Sequence, residues 1–357
     1  MTISVNKTDF LSGIKAIKSS CGKMNLQPIL GTIHVKTIGQ GLQLTASDLE
    51  NSARTVVEAN VTGDYNFCVN ADKLESIVNA LNDIITIDLP DNVAIIKSGK
   101  TEFSLLTLNA DEYPEPDFTL PEDKIILSHN DFINGVNKTV FATAQETQNI
   151  LAGVCFTFNK ENGYEMAATD GNRLSRVIFD SVSVNCDGQY VIPNNILINV
   201  SKNIGDEVEI YFKGSKIIFK TKNYLYSSNL YSGQFPKYAQ LIPTDSPLKA
   251  VVKRNDLLHS LEKVAIMVDN RSNLTTFNFK DNQLNLTTKT VDVGTAKDSF
   301  DITFDGEIVI GFNYRFVLEA IKAMDTDEIV ICMNKPTSAC LIQGDFTCLI
   351  MPVQIRG

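Results

Sequence analysis

A chain that repeats itself three times at a fixed spacing must build three copies of one module, and this sequence does so. A helix-opening pattern recurs as NKTDFLSGI, HNDFINGV and RNDLLHSL, carrying Asp9, Asp131 and Asp256. A strand running into a polar turn recurs as LTASDLE at Asp48 and MAATDGN at Asp170, and more loosely as LTTKTVD near Thr290. A strand leading into a second helix recurs as FCVNADKLESIV, YVIPNNILINV and VIGFNYRFVLEAI, anchored at Val69, Ile192 and Phe312. Each copy closes on an apolar or aromatic residue before proline: Tyr113-Pro114, Phe235-Pro236 and Met351-Pro352. Between the first two copies these landmarks lie 122, 122, 123 and 122 residues apart. Between the second and third the spacings are 125, 120, 120 and 116, as altered loop lengths would give.

Proline-rich stretches, YPEPDFTLPED and FPKYAQLIPTDSP, separate the copies and predict domains at 1–124, 125–247 and 248–357. Within each copy the hydrophobic period switches twice. Phe10, Leu11, Ile14 and Ile17 recur at helical spacing, with Asp9 where a carboxylate favours the positive helix end. Strand-like runs such as IHVKTI and RTVVEANV follow, and a second helix opens at Asn70 with Leu74, Ile77, Val78 and Leu81 on one face. The expected class is α+β: three similar domains, each with two helices against antiparallel sheet.

The formal charge is -10, so a surface that is basic throughout is excluded and any nucleic-acid contact must be local. The six repeat helices sum to +3 and the rest of the chain to -13, so a polyanion would be tolerated only along the helices. No run of 18 apolar residues occurs and MTISVNKTDF is not a signal peptide, so the expectation is a soluble, cytoplasmic protein without a membrane partner. Seven cysteines, odd in number and never in CxxC, read as reduced core or strand residues, with Cys332, Cys340 and Cys348 suiting one strand face. There is no phosphate loop, dinucleotide fingerprint or HExxH, and His34, His129 and His259 are far apart, two of them at repeat-helix starts. Asp170-Gly171 lacks the acidic ladder of a calcium loop and reads as a polar turn. No cofactor, metal or catalytic residue is expected, and an enzyme built on the triplication would need a clustered acid, base or nucleophile that the sequence does not offer.

PILGTIHV with LTASDLE, LAGVCFTFNKENGYEMAATDGNRLSR, NLYSGQFPKYAQLIP and LIMPVQIRG, in this order, closely resemble the bacterial DNA polymerase III beta subunit family, the replicative sliding clamps, over essentially the whole chain. The resemblance implies a non-catalytic processivity factor. Two chains would join head to tail in a closed ring of six domains around double-stranded DNA, with helices of about 12 to 15 residues lining the hole. The replicative polymerase catalytic subunit and a clamp loader are the implied partners, with repair polymerases, mismatch-repair proteins and ligase as further clients. Their peptides would dock in a pocket formed by Leu151, Thr169, Gly171, Arg173, Leu174, Pro236, Leu241, Leu349, Met351, Pro352 and Val353. Asn172 stands where the family often has His, and Gln240 and Gln354 where Arg is common, so the pocket rim differs. The ring seam is assigned to Phe103 and Leu105 of one chain against Ile266 and Met267 of the other. The candidate DNA contacts are Lys15, Lys23, Lys138, Gln145, Lys202 and Lys263, with Met24 standing where Arg is familiar. Read from the residues alone, Leu151, Leu174 and Leu349 are domain core rather than a pocket. The alternative function is a triplicated protein-binding scaffold that does not encircle DNA.

Overall fold

Six helices appear in the computed structural model, which describes residues 2–22, 27–145, 149–180, 182–269, 271–290 and 292–355: α1 (Lys7–Lys18), α2 (Ala71–Ala80), α3 (His129–Thr139), α4 (Asn194–Lys202), α5 (Arg254–Ala265) and α6 (Tyr314–Ala323). α1, α2 and α6 begin where side chains satisfy the free N–H groups of the first turn. Asn6 accepts from Thr8 N, Asn70 from Lys73 N (both 2.8 Å) and Asn313 from Arg315 N (3.1 Å). Asp9, Asp131 and Asp256 occupy first turns, as the repeat predicted. Phe10, Ile14 and Ile17 of α1 and Leu74 and Val78 of α2 are buried, while Leu11 and Ile77 sit half-buried at the margins of those faces. Gly13 and Gly135 hold the same position in their helices. A Cβ on Gly13 would stand 2.8 Å from Val57, so only glycine allows this helix–sheet approach.

The chain divides into two compact units, residues 1–132 with 195–230, and residues 133–194 with 231–357. Twelve antiparallel strands form one sheet in the first unit. Its long strand Asn51–Val61 pairs along one edge with Gly41–Ser47. The other edge is shared: Ala59–Val61 takes Ile3–Val5, closing the first-copy strands into a circuit, and Asn51–Thr55 takes Tyr224–Ser228 of the second copy. The second unit holds a nine-stranded and a four-stranded sheet. In the larger one Arg173–Arg176 of the second copy pairs with Thr347–Ile350 of the third, repeating the junction made by Asn51–Thr55.

Backbone detail follows the threefold repeat. Leu49 and Gly171 hold the equivalent turn position and both have positive φ (78° and 90°); the third copy's turn also carries a positive φ, at Asp292 (65°). Cys68, Val191 and Gly311 stand three residues before α2, α4 and α6, and they pair with Leu108, Tyr231 and Val353 respectively. No disulfide joins the cysteines among the described residues, but Cys340 and Cys348 share a sheet face that Cys332 does not. Cys332 pairs with Leu341, whereas Cys340 and Cys348 pair with Ile350 and Ile342. His34 is a buried side chain bonded to Asn66, and His129 Nδ1 donates to Gly205 O at 2.8 Å.

Candidate functional site

The ATDGNR turn of the second unit is shaped by its own side chains. Asp170 Oδ1 accepts the N–H groups of Asn172 (2.9 Å) and Arg173 (3.1 Å). Thr169 Oγ1 accepts from Gly171 N at 3.1 Å and donates to Arg173 O at 2.6 Å. Gly171 has open space where a Cβ would stand, so its left-handed φ, not crowding, calls for glycine there. Arg173 is turned inward. Its guanidinium bonds Asp170 at 3.0 Å, Glu319 and the Phe141 carbonyl, and lies 4.5 Å over the Phe316 ring. It braces the turn against α6 and has little left to offer a ligand.

Beside this turn three chain segments named from the sequence converge. Leu174 and Leu349 are direct cross-strand partners, 2% and 4% exposed, in a core cluster with Ala167, Cys155, Val191, Phe235 and Tyr238. Leu151 packs half-buried against the same cluster, and Thr169 pairs with Leu174 across the strands. The leucines are therefore core residues in the fold, and the pocket role that the resemblance gives them would have to be played from the core. Pro236, Leu241 (61% exposed) and Met351 (43% exposed) are exposed apolar groups that lie close in sequence to the cluster residues Phe235, Tyr238 and Leu349. Met351 N donates to Asn172 O at 2.9 Å, tying the C-terminal segment to the turn. Pro352 and Val353 continue into a groove of about 490 Å³ with Val309, Gly311, Pro336, Thr337 and Ile355, a lining absent from the sequence-derived set. Val309 and Gly311 escaped notice because nothing in the strand EIVIGFN distinguishes them from core. Asn172, Gln240 and Gln354 are exposed on the rim and uncharged. Buried leucines with exposed apolar side chains on the neighbouring segments are a composition suited to a short extended peptide with apolar anchors.

Of the residues assigned to the seam, Phe103 and Leu105 lie on a sheet-edge strand and Ile266 and Met267 directly follow α5. In the first unit Phe103 and Leu105 are half-buried on the strand Thr101–Asn109. Among the described residues, its segment 101–106 is paired only along the side facing Val93–Ser98. Leu106 (77% exposed) and Leu108 lie on the opposite face and were not picked out from the sequence, although FSLLTL, apolar on both faces, carried the signal. In the second unit Ile266, 82% exposed, ends α5, and a Cβ on Gly294 would stand 3.1 Å from the Met267 methyl. The strand Gly294–Asp301 pairs only with Gln283–Thr290 among the described residues. Sequence reasoning missed this strand because GTAKDSFD is too polar to announce itself; its repeat position was the available signal.

The DNA-facing assignments divide. Lys15 and Lys202 are exposed, enter no ion pair among the described residues, and lie on α1 and α4. Gln145 is exposed, and Lys263 on α5 is largely exposed although 3.1 Å from Asp298. Lys138 is corrected. It is 7% exposed, with its ammonium 3.0 Å from Asp325 and 2.5 Å from Asp345, so its charge is consumed inside the second unit. Lys18, counted in the helix charge, is likewise held by Asp72 and Glu75 at 2.6 Å. Lys23 and Met24 lie outside the described residues.

Known proteins match this arrangement along its length. Models of the DNA polymerase III beta subunit match as N-terminal domain over residues 1–117, central domain over 126–237 and C-terminal domain over 239–354. The beta sliding clamp of Synechococcus elongatus is 30% identical over 335 residues, 89% of each chain, and that of Streptococcus pneumoniae is 26% identical over 98% of each. Among solved structures, the Bartonella birtlesii DNA polymerase III subunit beta bound to griselimycin shares 25% identity with a TM-score of 0.93, over 99% of this chain and 100% of that one. The Thermotoga maritima beta subunit shares the fold at 24% identity and a TM-score of 0.91, over 99% of this chain and 100% of that one. Threefold repeat, junction strands and matches over nearly every residue agree: the chain belongs to the DNA polymerase III beta subunit family, the beta sliding clamps.

Proposed function

We propose that this chain is a DNA sliding clamp closing into a ring as a head-to-tail homodimer, and that each chain contributes the three domains 1–124, 125–247 and 248–357. The observation that carries this reading is a pair of unused strand edges. Within the chain, Asn51–Thr55 of the first copy pairs with the second copy, and Arg173–Arg176 of the second pairs with the third. The equivalent strand of the third copy, Gly294–Asp301, and the equivalent recipient in the first, Thr101–Leu105, have one side unpaired among the described residues. Unpaired edges of matching type are templates for each other.

The register follows from the repeat. Three residues upstream of Tyr231 and Val353 stand Ser228 and Ile350, which face Asn51 and Arg173, the first residues of their junction strands. Three residues upstream of Leu108 stands Leu105, and the first residue of the remaining strand is Gly294. Leu105 of one chain then faces Gly294 of the other, Phe103 faces Ala296, and Glu102 faces Lys297. Gly294 lies against Met267, so this register brings Phe103 and Leu105 toward Met267 and its neighbour Ile266.

Helices of nine to twelve residues, roughly 14 to 18 Å long, would line the hole. They are shorter than the sequence suggested. Lys15, Lys202, Lys263 and Gln145 would meet the backbone of duplex DNA, with Lys23 as a further candidate. With Lys18 and Lys138 neutralised, few cations remain, so the chain would hold DNA chiefly by enclosure and leave it free to slide. The pocket over Leu174 and Leu349 would tether the replicative polymerase and receive the clamp loader, and repair polymerases, mismatch-repair proteins and ligase would use the same site. Work on the cytoplasmic chromosome needs no membrane span, and no described helix is long and apolar enough to be one. The test is retention on DNA. Clamp placed by a loader on a closed circle should co-elute with it through gel filtration and leave when the circle is linearised. Equal loss from both forms would instead indicate a protein-binding scaffold.

A further inference from the structure

The walls of the pocket need something to hold them, because the segment that carries two of them has little regular structure. Pro236 and Leu241 lie on a stretch whose only helix is the four-residue turn Tyr238–Leu241, which lacks a side-chain cap. Two aromatic side chains pin this stretch to the sheet. Phe235 and Tyr238 are 3% and 5% exposed, meet edge to face with centroids 6.0 Å apart, and enter the cluster that contains the floor.

Tyr238 differs from Phe235 in having a hydroxyl to satisfy. It donates to Glu165 Oε1, and the other oxygen of Glu165 accepts from Arg176 Nε at 2.8 Å. Glu165, Ala167 and Thr169 alternate along one strand and share a face with their cross-strand neighbours Leu174 and Arg176. The hydroxyl is thus fastened to the same row of residues that ends in the pocket floor.

We infer that the Tyr238–Glu165–Arg176 chain positions the client-peptide pocket, fixing the Pro236–Leu241 wall at its working distance from the Thr169–Leu174 floor. This rests on the peptide-pocket reading. Tyr238 and Glu165 are positioning residues: they act through Leu241 and Pro236 and need not touch the peptide. A hydrogen bond to a carboxylate is stronger than one between neutral groups, and a phenol tied to an ion-paired carboxylate leaves the turn one position. Without the hydroxyl's partner, the ring keeps its apolar burial, but the turn can slide along the cluster and the wall loses its register with the floor.

The test uses a fluorescein-labelled Gln-Leu-x-Leu-Phe peptide and the full chain, read by anisotropy. Tyr238→Phe should weaken binding about tenfold, equivalent to about 1.4 kcal/mol, with the melting temperature moved by no more than about 2 °C. Glu165→Ala should do the same, and the double variant no more than either alone. Glu165→Gln, which keeps an acceptor oxygen, should recover most of the affinity lost in Glu165→Ala. In a Leu241→Ala background Tyr238→Phe should have no further effect. Additive losses there would mean that Tyr238 acts on the fold in general, and would overturn the inference. So would unchanged affinity in Tyr238→Phe while the unaltered chain binds. If the unaltered chain does not bind the peptide at all, the pocket reading itself has failed.

Discussion

Ile266→Asp tests the seam most directly. Ile266 is 82% exposed at the end of α5, so in one chain a carboxylate there meets water and the fold loses little. In the proposed ring the same position is covered by the edge strand of the partner. Burying an isoleucine contributes about 1.5–3 kcal/mol, and a ring of two chains has two such seams, so the lost burial alone removes at least about 3 kcal/mol. At 1.4 kcal/mol per decade the dimer should weaken at least about a hundredfold, before any cost of desolvating the carboxylate. Sedimentation velocity reads this as a shift from twice the chain mass toward 39.4 kDa. Ile178→Asp, at a residue 53% exposed on a strand outside the seam, should leave the dimer intact. A dimer equally resistant to both substitutions would refute the reasoning. The register has its own check. Glu102→Lys and Lys297→Glu should each loosen the dimer by setting like charges opposite one another, and the two together should restore it.

Three further outcomes follow from burial and charge. Met351→Ala should weaken the Gln-Leu-x-Leu-Phe peptide by about 2 kcal/mol with little effect on melting, because the side chain is half in solvent, and unchanged affinity would remove Met351 from the site. Leu174→Ala is a poorer probe: at 2% exposure it should destabilise the second unit by about 2–5 kcal/mol, so its effect on binding must be separated from unfolding by calorimetry. In the first unit, hydrogen bonds from Lys124 and Lys220 hold the Glu209 carboxyl at about 2, below its usual 4.5. A depressed folded value stabilises the protein above pH 4.5 and ceases to do so as pH falls toward 2. Glu209→Gln should therefore melt lower than the unaltered chain at pH 7, with the two curves converging near pH 2. Parallel curves across that range would show that the carboxylate contributes nothing.

What the sequence made legible was whatever repeats. Spacings of 122 and 123 residues located the helix starts, the turn at Asp170 and the strand before α4, because each depends on local chemistry that three copies must all satisfy. The proposed pocket floor rests on the motif, because Leu174 and Leu349 alone cannot be told from core, being core. Side-chain partners between distant segments were not legible. Lys138 reads as a helix lysine available to phosphate until Asp325 and Asp345, some 190 and 210 residues downstream, are brought against it. Arg173 likewise reads as a pocket cation until Glu319 and Phe141 claim it. Net charge on a helix counts formal ions, whereas phosphate affinity depends on those left unpaired, and only the folded chain tells them apart.

The same distinction bears on how the ring can close. A head-to-tail contact yields a closed ring only when its rotation divides a full turn; otherwise it yields a filament. Here the contact between chains would reuse the strand positions of the two junctions inside the chain, and so would inherit their rotation. The number of chains in the ring then depends on the geometry of a junction such as Asn51–Thr55 with Tyr224–Ser228 as much as on the outer seam. Seam residues would set how long the ring stays shut, while the internal junctions would set whether two chains suffice to shut it. An inserted residue at the Ser228 junction should therefore alter the assembly size even though no contact between chains is touched, whereas substitutions at Glu102 or Lys297 should alter only its lifetime.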